Sequence, residues 1–252
     1  MAASLVQTRA SSTDSVTAVN LAYTSNVTSG NLLFALVGGG SDAGGGVRAV
    51  SDSQGNAYTF VAGAGSLDDA SNVNLYIATA GASGANTVTW TLTAGAPGTM
   101  DIIIGEVSGL TATPLDQHHS VNESAATGNI TTTQAAEYLL AGAIGNSAAI
   151  ATWSATNSFV VERSVAESSG TSGMALADRT VAAIGTYSTT FSNSGVLSPS
   201  AGALIASFNI AAAPAGPTKL EISLFGTKRF GKTEEPECVE APTEPPVKLF
   251  GA

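Results

Sequence analysis

Thr87-Val88-Thr89-Trp90-Thr91-Leu92-Thr93 puts Val88, Trp90 and Leu92 on one side of an extended chain and the threonines on the other. Alternation with a period of two belongs to a half-buried β-strand. Trp90 falls on the apolar side, so core packing is its stronger reading; a sugar platform shared with Trp153 is the weaker one. Val73, Leu75 and Ile77 alternate with Asn72, Asn74 and Tyr76 in the same way, and Ile102-Ile103-Ile104 reads as a strand buried on both faces. Turn signals lie between these runs: Gly38-Gly39-Gly40, Gln54-Gly55-Asn56 and Gly95-Ala96-Pro97-Gly98. Asp52-Ser53-Gln54-Gly55-Asn56 reads as a hairpin turn with Gly55 at positive φ. No long stretch keeps a helical period; Thr133-Gln134-Ala135-Ala136-Glu137 reads as either one helical turn or a loop.

Composition supports an all-β reading. Charged residues make up 11% of the 252, against about a quarter in ordinary domains, and small residues fill the gap. The net charge of -10 is unevenly spread. Before residue 214 the basic residues are Arg9, Arg48, Arg163 and Arg179, and every lysine (Lys219, Lys228, Lys232, Lys248) follows it. Such an acidic body repels phosphate backbones and anionic membrane surfaces, so neither nucleic acid nor membrane insertion is expected. Cys238 is the single cysteine, which excludes an intrachain disulfide framework. Residues 1–9 lack the charged start and apolar run of a signal peptide, and Leu32-Leu33-Phe34-Ala35-Leu36-Val37 is too short to span a bilayer. The expectation is a soluble protein made without an export signal.

The chain echoes itself at a spacing of roughly 100 residues. Leu32-Leu33-Phe34-Ala35-Leu36 matches Leu139-Leu140-Ala141-Gly142-Ala143, and Ala57-Tyr58-Thr59-Phe60-Val61 matches Asn157-Ser158-Phe159-Val160-Val161. The strand around Trp90 matches Thr186-Tyr187-Ser188-Thr189-Thr190-Phe191, and Ile102-Ile103-Ile104 matches the run Ala203 to Phe208. Two readings stand: a degenerate duplication whose halves give about five strands each and complete one sandwich, or a chance alignment of β-formers.

At Ala211-Ala212-Ala213-Pro214-Ala215-Gly216-Pro217 the composition shifts, dividing a body (1–213) from a Pro/Glu-rich arm (214–252). The arm carries spaced apolar anchors: Leu220, Ile222, Leu224, Phe225, Phe230, Leu249 and Phe250, with Val247 beside them. Anchors of this kind in an extended strap point to docking on a partner, against the plainer reading of a frayed terminus.

The motif Val50-Ser51-Asp52-Ser53-Gln54-Gly55-Asn56-Ala57-Tyr58-Thr59 is followed by Asn74-Leu75-Tyr76-Ile77-Ala78 and Gly84-Ala85-Asn86-Thr87-Val88-Thr89. Glu106-Val107-Ser108-Gly109-Leu110, Pro114-Leu115-Asp116 and the run Gly202 to Phe208 continue it. The pattern resembles a β-sandwich domain found in phage structural proteins, among them decoration and tail proteins, and in bacterial surface proteins. The resemblance covers roughly residues 4 to 210, and the arm lies outside it. It implies a jelly-roll-like antiparallel β-sandwich and no particular activity.

Residues with chemistry are few. His118 and His119 are the only histidines; on a strand they point to opposite faces, whereas in a loop with Asp116 they could share a metal. No Gly-x-Ser-x-Gly elbow is present to use them in a triad. Asp101 and Glu106 are candidate paired carboxylates for glycoside hydrolysis, but their odd spacing puts them on opposite faces of a regular strand. Asp68-Asp69 reads as an acidic loop before it reads as a calcium site. The Gly38-Gly39-Gly40 and Gly44-Gly45-Gly46 clusters read as loop punctuation, not phosphate cradles.

The expectation is therefore a non-enzymatic phage virion protein without cofactor, metal or catalytic residues. It is a capsid decoration (cement) protein assembled in the host cytoplasm, docking by its arm on the major shell protein or on neighbouring copies, and homo-oligomeric. The alternative is a tail-fibre receptor-binding module or bacterial surface adhesin gripping host surface glycans. A glycosidase is the remote third.

Overall fold

The apolar runs of the sequence become strands covered on both sides. The computed structural model describes residues 2–40, 48–65, 71–92, 98–146, 152–166, 172–193 and 202–212. Within them every regular element is a strand. The first half holds β1 (Ser4–Val16), β2 (Ala18–Ala22), β3 (Leu32–Gly40), β4 (Arg48–Asp52), β5 (Thr59–Gly65), β6 (Ser71–Thr79), β7 (Thr87–Leu92) and β8 (Gly98–Ser108). The second holds β9 (Leu110–Val121), β10 (Ile130–Thr131), β11 (Glu137–Asn146), β12 (Trp153–Ala155), β13 (Val160–Ala166), β14 (Ser172–Val181), β15 (Thr186–Tyr187), β16 (Phe191–Asn193) and β17 (Gly202–Ile210). The protein is an all-β, antiparallel sandwich. Residues 1–214 group as one unit; the arm and all its anchors, Leu220, Ile222, Leu224, Phe225, Phe230, Leu249 and Phe250, lie outside the described residues.

Two five-stranded sheets dominate, ordered β1-β8-β3-β6-β5 and β9-β17-β11-β14-β13. Replacing β8, β3 and β5 by their echoes β17, β11 and β13, and matching β1 to β9 and β6 to β14 by position, gives the same order. The minor sheets agree as well. The first half has β2-β7-β4; the second has β10-β15 and β16-β12, as if β7 had been interrupted between Tyr187 and Phe191. Irregularities recur too. The ladder of β5 with β6 slips between Phe60 and Ala62, and that of β13 with β14 slips between Val161 and Arg163. A bulge is an extra residue that bends a strand locally, and two unrelated strands have no reason to carry it at the same step. The halves therefore repeat one unit, but the sequence echo is out of register by one residue at two places: Leu139 stands where Leu33 does, not Leu32, and Val161 where Phe60 does, not Val61.

The large sheets face one another, as a sandwich of two halves requires. Phe34, Leu36, Val73, Leu75, Ile103 and Val107 meet Tyr138, Leu140, Ile144, Leu176, Leu204 and Phe208 in one buried core. What the sequence reading did not resolve is the smaller sheet on each outer face. Leu33, Ala35, Val37, Ile102 and Ile104 point the other way, onto Val19, Leu21, Val88 and Trp90. Leu139, Ala141, Ala143 and Ile205 likewise meet Ile130 and Phe191. Both sides of the central strands are thus removed from water, which explains why their sequences are continuous apolar runs instead of alternating ones.

Contacts between the halves come in exchanged couples. β1 lies beside β13, and their equivalents β9 and β5 lie together; β3 approaches β14 as β11 approaches β6; β8 approaches β13 as β17 approaches β5. This is the isologous pattern of a two-fold axis, here between two halves of one chain.

Two expectations are corrected. Gly38-Gly39-Gly40 is not loop punctuation but the end of β3, paired with Val73, Asn72 and Ser71. A Cβ on Gly38 would run into the Asn72 carbonyl and lie 3.1 Å from Ile144 Cδ1; one on Gly39 would strike the Thr99 carbonyl. These glycines mark close approach of neighbours, the other common use of glycine within a strand. Nor is Asp52 to Asn56 a hairpin turn: Gly55 does adopt positive φ (73°), but the turn leads from β4, paired with β7, to β5, paired with β6 in another sheet; Thr133 to Ala136 is a loop, and Gly44-Gly45-Gly46 lies outside the described residues.

Candidate functional site

Carboxylates are the natural place to look for chemistry, and among the described residues Asp52, Glu106 and Glu137 are engaged in holding loops. β8 pairs with β3 without a break from Val107 to Asp101, so Asp101 and Glu106 do lie on opposite faces; both are fully buried. Glu106 accepts hydrogen bonds from Gln7 Nε2 (2.7 Å), the Thr28 N–H (2.8 Å) and Asn31 Nδ2 (2.6 Å), pinning the loop that enters β3. The second half solves the same problem with the carboxylate moved. By register, Ser207 stands where Glu106 stood, opposite Leu139 as Glu106 is opposite Leu33. Glu137, at the start of β11, instead accepts from the Thr133 and Gln134 N–H groups (3.0 and 2.9 Å). A buried polar group must find partners, and a repeated unit can change which strand supplies them. Asp52 does similar work at the turn before β5, accepting from the N–H groups of Gln54 and Asn56 and the side-chain amides of Asn56 and Asn86.

Two carboxyl pairs join residues distant in sequence, which is why the sequence reading missed them. Asp116 on β9 adjoins Glu137. Burial pushes Glu137 up, and Asp116 adds to this; Asp116 itself resists its own burial and is held low by the Thr133 hydroxyl and N–H. On β13 and β14, Glu162 adjoins Asp178, and Asp178 accepts a 2.6 Å bond from the Tyr138 hydroxyl. Both carboxyls are raised, chiefly by burial, Glu162 also by the charge of Asp178. Burial raises Tyr138 as well.

His118 and His119 fall on β9, adjacent and both exposed; His119 Nδ1 lies 3.2 Å from the Thr127 carbonyl. Among the described residues no three His, Cys, Asp or Glu gather as a metal would need. Asp68-Asp69 lies outside the described residues. Trp90 is buried in the first outer core, while Trp153 is half-buried at the edge of the second, meeting Phe191 edge-to-face at 6.2 Å.

One corner of the second half differs in kind. The turn before β13, the end of β14 and β15 enclose an open basin of about 370 Å³ lined by Asn157, Ser158, Arg179, Thr186, Tyr187 and Ser188. Asn157 and Ser158 both hold left-handed backbone (φ 55° and 62°), the one consecutive non-glycine pair to do so among the described residues. The Arg179 guanidinium donates to the Asn157 carbonyl (2.8 Å) and lies 5.2 Å over the Tyr187 ring. Tyr187 is tied by its hydroxyl to the Ala183 carbonyl (2.7 Å), and Asn157 Nδ2 donates to the Ser188 carbonyl (2.9 Å). The signal was present in the sequence: Arg179 is one of only four basic residues before residue 214, and with Asp178 it ends the apolar run Met174-Ala175-Leu176-Ala177. Compared with family models, curated proteins and solved structures, the chain matches none.

Proposed function

We propose that the protein is a structural component of a phage virion, a capsid decoration protein whose body is a stable block and whose arm docks it on the shell. The observation that carries this reading is the filled interior. Three stacked apolar cores occupy the spaces between the sheets, and Asp52, Glu106 and Glu137 are bonded to loop backbone. Such a body suits mechanical service better than turnover. The order β1-β8-β3-β6 facing β2-β7-β4 supports reading each half as a jelly-roll-like unit, an architecture that shell proteins and lectins share. Leu220, Ile222 and Leu224 alternate with Glu221 and Ser223, which suits strand addition to a neighbouring copy or the major shell protein, with Phe225, Phe230, Leu249 and Phe250 as further anchors.

The test is assembly. Truncation after Pro214, and separately the triple change Phe225→Ala, Phe230→Ala and Phe250→Ala, should leave a soluble folded body that fails to join particles. Incorporation of truncated protein at the normal level would refute docking by the arm. Copy number per particle separates a decoration protein, present in hundreds, from a tail or fibre protein, present in a few.

A further inference from the structure

We propose that the basin at Arg179 is a binding site for a carboxylate-bearing sugar residue of an acidic glycan. The inference does not rest on the assembly reading and holds for a capsid, fibre or surface protein alike. Four observations converge. First, one wall is a fixed tight turn: Asn157 and Ser158 hold positive φ while the Phe159 N–H donates to the Thr156 carbonyl (3.2 Å), the pattern of a type I′ turn, and this sets the position of the Asn157 carbonyl. Second, the cation is organised in advance. Arg179 is held by the Asn157 carbonyl on one side and by the Tyr187 ring on its face, and Tyr187 is itself tied to Ala183. A guanidinium has five N–H donors, so one bond to Asn157 leaves a fork for an anion.

Third, the feature belongs to one half alone. The register that pairs Arg179 with Leu139 pairs Ala78 with Leu33 in the first half, where Ala78 is buried and the neighbouring turn is closed by Asp52. A duplicated unit that keeps its strand order and bulges, yet opens one corner around an arginine, has changed that corner locally. Fourth, the lining is selective. Arginine takes a planar carboxylate with two parallel bonds. The Ser158 and Ser188 hydroxyls and the Asn157 amide oxygen match the donors and acceptors of sugar hydroxyls, while Asn157 Nδ2 is held by the Ser188 carbonyl and the Thr186 hydroxyl by Thr131. The volume lies at the small end of ligand sites, right for one sugar residue. A bare inorganic anion would use the arginine and leave these walls idle.

The experiment is calorimetric and NMR titration of the full chain with glucuronate, N-acetylneuraminate, glucose and inorganic phosphate. The expected result is roughly millimolar binding of at least one acidic sugar, with glucose and phosphate about tenfold weaker or more. Arg179→Gln should remove that binding, and Arg179→Lys, which keeps the charge and loses the fork, should weaken it, both with an unchanged circular dichroism spectrum. Phosphate binding as tightly as the acidic sugars would reduce the basin to a simple anion site and overturn the proposal. So would acidic-sugar binding that survives in folded Arg179→Gln, or no binding by any of the four probes.

Discussion

Gly142, on β11, shows how closely the halves approach. A Cβ there would lie 2.7 Å from Leu36 Cδ1, a side chain reaching across from the other sheet and fully buried. Gly142→Ala must therefore displace Leu36 in a filled core, and overpacking of this kind costs about 1–3 kcal/mol. A lowered denaturation midpoint with unchanged slope is the expected readout; a neutral result would mean the sheets stand further apart. Asp178 makes a pH-dependent case. Its folded carboxyl is raised, as is that of Glu162, so each contributes stability that is complete below the ordinary carboxylate range and lost as pH climbs through the raised value. Asp178→Asn keeps an acceptor for the Tyr138 hydroxyl and removes the charge. It should melt higher than the parent at pH 7, with the gap closing toward pH 4; a gap constant with pH would contradict the pairing. At this scale the sequence was partly legible. Gly55 in its turn follows from neighbouring residues, whereas Gly38 in a strand and Glu162 against Asp178 depend on parts of the chain that only folding brings together.

Single elements were legible wherever one face differs from the other. β7 alternates intermediate and buried positions from Thr87 to Leu92, as its threonines and apolar residues foretell. Val88→Thr puts a hydroxyl into a fully buried site and should cost about 1–3 kcal/mol. Thr89→Val, on the outer face where Thr89 bonds Asn20 Oδ1, should stay within about 0.5 kcal/mol. Equal effects at both positions, measured by thermal melting, would mean the strand faces are misassigned. β15 and the start of β16 fall in the Thr186 to Phe191 run that echoes the Trp90 strand, but legibility fails for β10 and β12, two and three residues long. No period can be read in so short a run, and their existence follows from the need to cover Leu139, Ala141 and Ile205 on the outer face. Thr133 to Glu137 was ambiguous for a related reason: its loop is fixed by Glu137 receiving the Thr133 and Gln134 N–H groups, a choice no local propensity dictates.

At the scale of the whole molecule, duplication explains more than any motif. Two copies of a strand order, each with its minor sheet and its β5-type bulge, stack through their larger sheets around an internal two-fold axis. Each large sheet presents apolar residues on both faces, so a half taken alone would expose the surface formed by Phe34, Leu36 and Ile103. Stability should therefore be shared, and residues 2–212 should unfold as one cooperative body. Amide hydrogen exchange of the full chain, read by mass spectrometry, tests this arrangement most directly. The slowest amides report global opening, and strands enclosed on both faces should set that limit. The expected result is that β3 and β8 exchange as slowly as β11 and β17, with the edge strands β1, β5, β9 and β13 faster in both halves. Slow exchange confined to one half, or central strands no better protected than the edges, would contradict the stacked, duplicated sandwich.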